Sequence, residues 1–396
     1  MPTTTESPPR GRASEIAADA KEWRHWLHAR PELRYEIATT VEFVATQLRS
    51  FGCDLVDTTT APSGIVALIH GRQRGPVVAL RADMDALPIL ERSLLPYRSQ
   101  HEKQMHACGH DGHMSMLLGG ARLLCERRDF NGSVALVFQP AEEDGFGAKS
   151  MIDAGIFEKY SIREIYGLHN MPGLGTGAFA TREGPLMAAC DTIRGGFSGK
   201  GGHAGRPHQC RDPLLAAANF VMALQAIASR DVNAQQAAVI CITSLQAGNA
   251  NNVIPERADI MGTVRTLDSE ARALVLRRVV EIAGHIAALN NVTTDVRVEF
   301  ECSATVNHST QTQTALAAAR VANPDSPADD NAAAVMFSED FGAMLQVCPG
   351  AFVFLGNGHS SALHTDNYDF NDDSIPVGIL YFATVATLAL QRLAGG

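Results

Sequence analysis

Hydrophobic and polar positions along the first part of the chain follow two different periods. Apolar residues recur at helical spacing from Ser14 to a stop near Pro31, and a second helix is predicted from Thr40 to Ser50. Short continuous apolar runs then alternate with helical segments, which is typical of buried strands in an α/β sheet. The predicted strands are Gly64 to Ile69, Val77 to Arg81, Val134 to Gln139 and Ile165 to His169.

The pattern changes near Cys190. A strand, a helix, two strands, a helix and a strand follow in that order, which indicates an inserted α+β unit of split βαβ, or ferredoxin-like, type. After Thr305 the α/β pattern returns, and it ends in a helix from Pro376 to Leu393. We therefore predict an α/β catalytic domain with a mixed sheet flanked by helices (residues 14–189 and 303–396) and an inserted lid or dimerisation domain (residues 190–302).

Composition and charge narrow the class of protein. The chain has 396 residues and a net charge of −10, and its basic residues are scattered, so we expect neither a nucleic-acid partner nor a membrane partner. It contains no uninterrupted run of eighteen apolar residues, and residues 1–13 resemble a disordered tail more than a signal peptide. The eight cysteines lie mostly in apolar segments and look like reduced core thiols. Together these features predict a cytoplasmic protein that handles small molecules.

The densest chemistry in the chain lies between His106 and His113. Four side chains in this segment, including Cys108 and His110, suit zinc, cobalt, nickel or manganese better than calcium or magnesium. The apolar residues that follow predict a helix, with the ligands at its N-terminal end. Because the chain has no Cys-x-x-Cys pair, further ligands must come from elsewhere. The alternative is a group of buried or helix-capping histidines.

Other polar groups follow predicted strands, where α/β sheets present ligand-binding side chains. The adjacent Glu142 and Glu143 leave the backbone in different directions, so one can bind metal while the other moves a proton. Without such neighbours, this pair would be an ordinary solvated acidic loop. His169 and His364 each follow an apolar stretch, and each taken alone is an ordinary core or surface histidine.

Seven segments carry a further signal: Arg81 to Pro88, His106 to His113, Phe138 to Glu143, Gly199 to Ala204, Asn252 to Pro255, Gly262 to Arg265 and Ser338 to Phe341. In sequence and in order they resemble the M20 metallopeptidases. More narrowly, they resemble the amidohydrolase branch, which contains hippurate hydrolases, N-acyl amino acid aminoacylases and auxin-conjugate hydrolases. The resemblance extends from about Trp23 to the last helix.

The resemblance implies a centre of two divalent ions, usually zinc, manganese, cobalt or nickel. The implied ligands are Cys108 as a thiolate bridging both ions, His110 and His169 on one ion, and Glu143 and His364 on the other. Glu142 would be the general base and then the general acid, and Asp85 would orient a ligating side chain from behind. In the wider family a histidine replaces Asp83 and a carboxylate replaces the bridging cysteine, so this chain has the pattern of the amidohydrolase branch.

Three further histidines, His106, His113 and His359, are set aside as ligands on the resemblance alone. In the inserted domain, the resemblance makes His203 the donor to a tetrahedral oxyanion. Asn252 and Arg265 would hold the substrate carboxylate, and the domain would form the contact of a homodimer or higher homo-oligomer. The alternative for Arg265 is an ordinary arginine on a strand surface.

We therefore predict a metal-dependent amidohydrolase that cleaves N-acyl amino acids, with aryl, indolyl or aliphatic acyl groups, to a carboxylic acid and a free amino acid. A first alternative is a dinuclear dipeptidase or a carbamoyl-amino-acid hydrolase, which Cys108 and Asp83 disfavour. A second alternative is a metal-stabilised binding protein without catalysis, which the intact Glu142 disfavours.

Overall fold

The structure is a computed structural model that describes residues 10–395. Its helices are α1 (Arg10–His28), α2 (Ala38–Ser50), α3 (His110–Arg127), α4 (Gly147–Asp153), α5 (Ile156–Lys159), α6 (Pro213–Ala226), α7 (Ser269–Asn290), α8 (Ser309–Ala322), α9 (Phe341–Val347) and α10 (Ile375–Gly395). Its strands are β1 (Leu55–Asp57), β2 (Ile65–His70), β3 (Gln73–Asp83), β4 (Asn131–Gln139), β5 (Ile162–Pro172), β6 (Phe179–Ala180), β7 (Gly184–Met187), β8 (Ala189–Ser198), β9 (Gly202–His203), β10 (Ala238–Ala247), β11 (Val253–Ile254), β12 (Arg257–Thr266), β13 (Thr293–Thr294), β14 (Arg297–Cys302), β15 (Thr305–Asn307) and β16 (Gly350–Gly358).

The described residues form two compact units. The first contains residues 10–186, together with Val306–Ala333 and residues 340–395. The second contains Met187–Thr305 and Ala334–Glu339. The short stretch Ala334–Glu339 was assigned by sequence to the catalytic domain, but it packs with the second unit. The amide of Ala188, next to β8, donates hydrogen bonds to carbonyls of this stretch, which joins it to the second unit.

The predicted N-terminal tail is partly wrong. Helix α1 begins at Arg10, four residues before the predicted start, and Ala13 is buried in the core of the first unit. Burial of that apolar face stabilises the extra turn, which polar composition alone did not suggest. Residues 1–9 of the predicted tail lie outside the described residues.

A seven-stranded sheet organises the first unit, with the order β1-β2-β4-β3-β5-β16-β6. Strands β4, β3, β5 and β16 run parallel, whereas the outer pairings are antiparallel, so the predicted mixed sheet is confirmed. The carboxyl ends of β3 and β4 bring Asp83 beside Gln139. The prediction that His169 follows its strand is wrong. The residue lies inside β5, which continues to Pro172.

Helix α10 is part of the core of the first unit. Residues such as Ile379 and Phe382 are fully buried there, together with Leu117 of α3. By length and composition alone, two segments could cross a membrane, Pro213–Asp231 and Asp372–Gly395. The second is 78% buried inside the protein, and core helices of this kind meet the same criterion.

The second unit has a five-stranded antiparallel sheet in the order β10-β12-β8, with β13 and β14 both pairing with β8. Because β12 lies between β8 and β10, and α6 and α7 connect the strands, the order is that of a split βαβ unit. Its separate core contains Ile193, Phe197, Phe220 and Val279. Outside this sheet, β9 pairs with β11, which places His203 opposite Val253.

Candidate metal centre

Gly109 makes the turn that separates two predicted ligands, Cys108 and His110. Its φ of 88° lies in the left-handed region, and α3 begins at the next residue. A Cβ atom at this position would lie 2.4 Å from the side-chain nitrogen of Asn170 and 2.6 Å from the hydroxyl of Tyr368. Only glycine therefore allows the chain to place the thiol and the imidazole on either side of this turn.

A first group of possible ligands contains Cys108, His110 and His169, whose donor atoms all lie within 4.8 Å of one another. Nδ1 of His110 is 2.8 Å from the carbonyl oxygen of Asp85, and Nδ1 of His169 is 2.7 Å from that of Asn170. Because a carbonyl oxygen can only accept, both Nδ1 atoms carry the proton, and both Nε2 lone pairs are available to an ion.

Burial keeps these two imidazoles neutral. It lowers the pKa of His169 to about 3, and it lowers the pKa of His110 well below the usual value. Nε2 of His110 is buried and has no hydrogen-bond partner among the described residues. A buried nitrogen in this state is costly unless something coordinates it, so the arrangement fits a metal ligand.

A second group contains Cys108, Glu143 and His364, again within 4.8 Å. Nε2 of His364 lies 3.5 Å from Oε2 of Glu143. The backbone of His364 is in the left-handed region, with a φ of 62°, and its amide donates to the carbonyl of Ala107 at 2.8 Å. Cys108 therefore belongs to both groups, which is the position that a bridging thiolate requires.

Within the first unit, the same distance criterion also gathers two alternative sets. One contains His110, Glu142 and Glu143, and the other contains Asp83, His110 and His113. The predicted ligand assignment therefore remains a prediction. The hydrogen bonds of each side chain indicate which of its atoms are available to a metal ion.

His113 is turned away from the ligand role by its two hydrogen bonds. Its Nδ1–H donates to Oδ1 of Asp83 at 2.7 Å, and its Nε2 accepts the backbone N–H of Asn170 at 3.0 Å. Both ring nitrogens have hydrogen-bond partners, so His113 joins the end of β3, at Asp83, to the backbone of Asn170.

His106 and His359 appear in none of the ligand groups found among the described residues. His106 is fully buried, and burial lowers its pKa to about 4.

Asp85 has a wider role than the predicted one. Its carboxylate accepts the backbone N–H of Glu142 at 2.9 Å and that of Glu143 at 3.2 Å, while its own carbonyl orients His110. The hydrogen bond between Asp85 and the predicted ligand His110 is thus made by a main-chain oxygen. The carboxylate fixes the turn that carries both glutamates. Burial raises the pKa of Asp85 to about 7, against the opposing effect of the two amides.

Glu142 lies beside the predicted ligand His110 and also accepts a hydrogen bond from Asp340. Its Oε2 is 4.0 Å from Nε2 of His110, and its Oε1 accepts the backbone N–H of Asp340 at 3.4 Å. The side chain is only 10% exposed. This position lets the carboxylate reach the same space as the ligand atoms while it is oriented by an amide.

Asp340 belongs to the Ser338 to Phe341 segment, but the sequence predicted no role for it. Its carboxylate accepts from Nε2 of Gln139 at 2.7 Å, from a guanidinium nitrogen of Arg81 at 3.2 Å and from the amide of Ala148 at 2.8 Å. These donors fix the residue whose amide contacts Glu142. The only signal in the sequence was its place in the Ser338 to Phe341 segment.

Asn170 was also missed as a positioning residue. Its Nδ2 donates to the carbonyl of Cys108 at 2.6 Å, and its Oδ1 accepts the hydroxyl of Tyr368 at 2.7 Å. The side chain therefore holds the turn that carries the predicted bridging thiol. No sequence pattern separates such an asparagine from one in an ordinary loop.

The second unit places two of its three predicted site residues side by side. The amide of Gly205 donates to Nδ1 of His203 at 3.0 Å, so Nδ1 is the acceptor and the ring carries its proton on Nε2. Asn252 is adjacent, because its carbonyl accepts the amide of Ala204 at 2.9 Å. Arg265 lies on β12 and donates to the hydroxyl of Ser338.

Residues 79–388 match the family described as Peptidase family M20/M25/M40. The chain belongs to this family. The M20 chain is 36% identical over 377 residues to the hippurate hydrolase of Campylobacter jejuni, covering 95% of this chain and 98% of that protein. It is also 36% identical over 372 residues to the N-acetylcysteine deacetylase of Bacillus subtilis, covering 93% and 96%.

A solved structure adds the comparison in three dimensions. A Bacillus subtilis protein described as a dinuclear metal binding peptidase from the M20 family has a TM-score of 0.84 and 33% identity. The match covers 96% of this M20 chain and 99% of that one. The predicted family, α/β fold class and hydrolase activity are confirmed by these comparisons.

Proposed function

We propose that this protein hydrolyses the amide bond of N-acyl amino acids, giving a carboxylic acid and a free amino acid. The hippurate hydrolase and the N-acetylcysteine deacetylase support this substrate class, because hippurate is N-benzoylglycine and N-acetylcysteine is also an N-acyl amino acid. One observation carries the proposal. Cys108 belongs to two ligand groups, and the Glu142 carboxylate, which the same distance criterion groups with His110 and Glu143, accepts a hydrogen bond from the backbone N–H of Asp340.

The five predicted ligands fit two divalent ions. Three imidazoles, one thiolate and one carboxylate form a mixed nitrogen, sulfur and oxygen set, which suits zinc, manganese, cobalt or nickel. Cys108, His110 and His169 would hold one ion, and Cys108, Glu143 and His364 the other. We name these five residues the Cys108 cluster.

Bound there, the ions would supply Lewis-acid chemistry for an amide carbonyl and would make water nucleophilic near neutral pH. Glu142 supplies the proton chemistry. Its carboxylate takes a proton from the attacking water and delivers it to the leaving amine nitrogen, as a single general base and acid. The Asp340 amide and the Asp85 carboxylate keep this side chain and its turn in place, which reduces the entropic cost of reaching the reactive geometry.

In the second unit, we propose that His203 stabilises the tetrahedral oxyanion. The hydrogen bond from Gly205 supports this role, because it leaves Nε2–H as the donor without a change of tautomer. Asn252 and Arg265 bind the substrate carboxylate, and the planar guanidinium suits a bidentate contact.

We also propose a homodimer or higher homo-oligomer through the second unit, and a cytoplasmic location. Strand β10 supports the assembly, because it is an edge strand that leaves Val239 and Leu245 partly exposed. The eight cysteines, all free thiols in this structure, support a reducing compartment. Light scattering of the purified protein and fractionation of its native cells test the two proposals.

The proposed substrate class is tested by release of free amine from N-benzoyl, N-acetyl, N-indoleacetyl and long-chain acyl amino acids. Each assay is repeated after chelation and after metal is restored, and a dipeptide and an N-carbamoyl amino acid are included. We expect turnover of at least one acyl amino acid that chelation abolishes and metal restores. Turnover of the dipeptide or the carbamoyl compound alone would replace the proposal with the corresponding reaction.

A further inference from the structure

Two thiols outside the Cys108 cluster lie in contact within the first unit. Sγ of Cys53, in the loop after α2, is 3.7 Å from Sγ of Cys125, near the end of α3. A disulfide needs about 2.05 Å between the sulfur atoms, so the two atoms must approach each other by about 1.7 Å to form the bond. Both residues keep part of their surface accessible to solvent. We propose that Cys53 and Cys125 form a reversible disulfide when a small disulfide oxidant is present.

The backbone around the two thiols is fixed independently of them. Arg128, three residues beyond Cys125, donates to the carbonyl of Gly52 at 2.6 Å and to the carboxylate of Asp54 at 2.6 Å. These two acceptors flank Cys53 on either side. The guanidinium therefore holds the end of α3 against the loop that carries Cys53, and this keeps the two thiols close together.

The charge beside the two thiols favours their reaction. The Arg128 guanidinium favours the thiolate form of both Cys53 and Cys125 by lowering the pKa of each. Because the thiolate is the nucleophile in thiol–disulfide exchange, either thiol can attack the oxidant, and attack by Cys125 leads to the following steps.

The exchange balances in two steps. The Cys125 thiolate attacks one sulfur of a low-molecular-weight disulfide, which forms a mixed disulfide and releases one small thiolate. Cys53 then loses its proton to solvent and attacks the Cys125 sulfur, which releases the second small thiolate. The two protein thiols lose two electrons, and the small disulfide gains them.

The cross-link leaves the metal ligands in place. His110 is the first residue of α3, and at 1.5 Å per residue Cys125 lies about 22 Å farther along the helix. The bond closes a long loop between α2 and α3, so it restricts the unfolded chain more than the native one. We expect the thermal midpoint to rise by about 5 °C, with less than a twofold change in hydrolysis.

The test is incubation of the native protein with glutathione disulfide, alkylation of the remaining thiols in denaturant and peptide mass mapping without reduction. We expect a linked peptide pair containing Cys53 and Cys125 as the main product, which dithiothreitol separates again. Cys241→Ser, which removes an exposed single thiol, should leave the product unchanged. Cys53→Ser should abolish it and leave Cys125 as a mixed disulfide with glutathione.

The proposal is overturned if both thiols remain alkylatable at an oxidant concentration that fully modifies Cys241. It is also overturned if Cys53 and Cys125 each capture glutathione without linking to one another. Both outcomes are measured on wild-type protein and need no variant to fold. They are also independent of the proposed hydrolysis, because the readout is covalent connectivity.

Discussion

The Cys108 cluster of the first unit and the His203 turn of the second unit (residues 199–205) hold their side chains in different ways. The first unit surrounds its predicted ligands and its predicted general base with hydrogen-bond partners, as in the contacts of His110 with Asp85 and of Glu142 with Asp340. The second unit presents His203 on an exposed turn, and a single amide fixes its tautomer. The geometry of the predicted metal ligands therefore depends on burial and on backbone acceptors. By contrast, a hydrogen-bond donor to a transient oxyanion needs only the correct tautomer.

Removal of the bridging thiol should have the largest effect. Because Cys108 belongs to both ligand groups, Cys108→Ala should lose bound metal and all measurable hydrolysis together. Metal content by mass spectrometry and amine release measure the two effects. Cys348→Ala is the matched control, since it also removes a buried thiol of the first unit. Full metal content in Cys108→Ala would contradict the shared ligand.

Glu142→Gln should separate binding from catalysis within the same unit. We expect kcat to fall by about 10³-fold while metal content stays at the wild-type level, because the amide keeps the shape but cannot accept the proton. Asp144→Asn changes a neighbouring carboxylate of the same turn, which is paired with Arg34, and should leave kcat unchanged. If Glu142→Gln loses as much metal as Cys108→Ala, the separate roles are wrong.

His203→Ala tests the other side of the comparison. The variant should lose about 10²-fold in kcat, because one oxyanion donor is missing, while metal content and thermal midpoint stay unchanged. His208→Ala, on the neighbouring exposed turn, serves as the control. Loss of metal in His203→Ala would place this residue among the ligands instead.

Arg265→Lys should have the smallest effect. Lysine keeps the charge but loses the bidentate geometry, so we expect KM to rise about tenfold with kcat nearly unchanged. Arg257→Lys, on the same strand β12, is the control. An unchanged KM in Arg265→Lys would make the side chain an ordinary surface arginine.

The histidines show how much of the candidate metal site could be predicted from the sequence. The segment from His106 to His113 indicated metal chemistry, but spacing could not rank its members. His110 and His113 lie on one helical face, and only the fold reveals that Asp83 and Asn170 occupy both nitrogens of His113. The decisive partners come from distant strands, so no local pattern contains them.

Other features could not be predicted from the sequence, for similar physical reasons. The role of the Asp85 carbonyl depends on main-chain geometry, which residue identity does not encode. The assignment of Ala334–Glu339 to the second unit depends on hydrogen bonds to a residue far away in the chain. By contrast, periodicity predicted the main strands of both sheets, because burial on a sheet leaves a direct hydrophobic signature.

Anomalous diffraction from metal-loaded crystals, collected at the absorption edge of the bound metal, tests the central claim most directly. We predict two peaks that share Cys108, with His110 and His169 on one ion and Glu143 and His364 on the other, and Glu142 outside the coordination of both. A single peak, or a Glu142 oxygen bound directly to an ion, would contradict it.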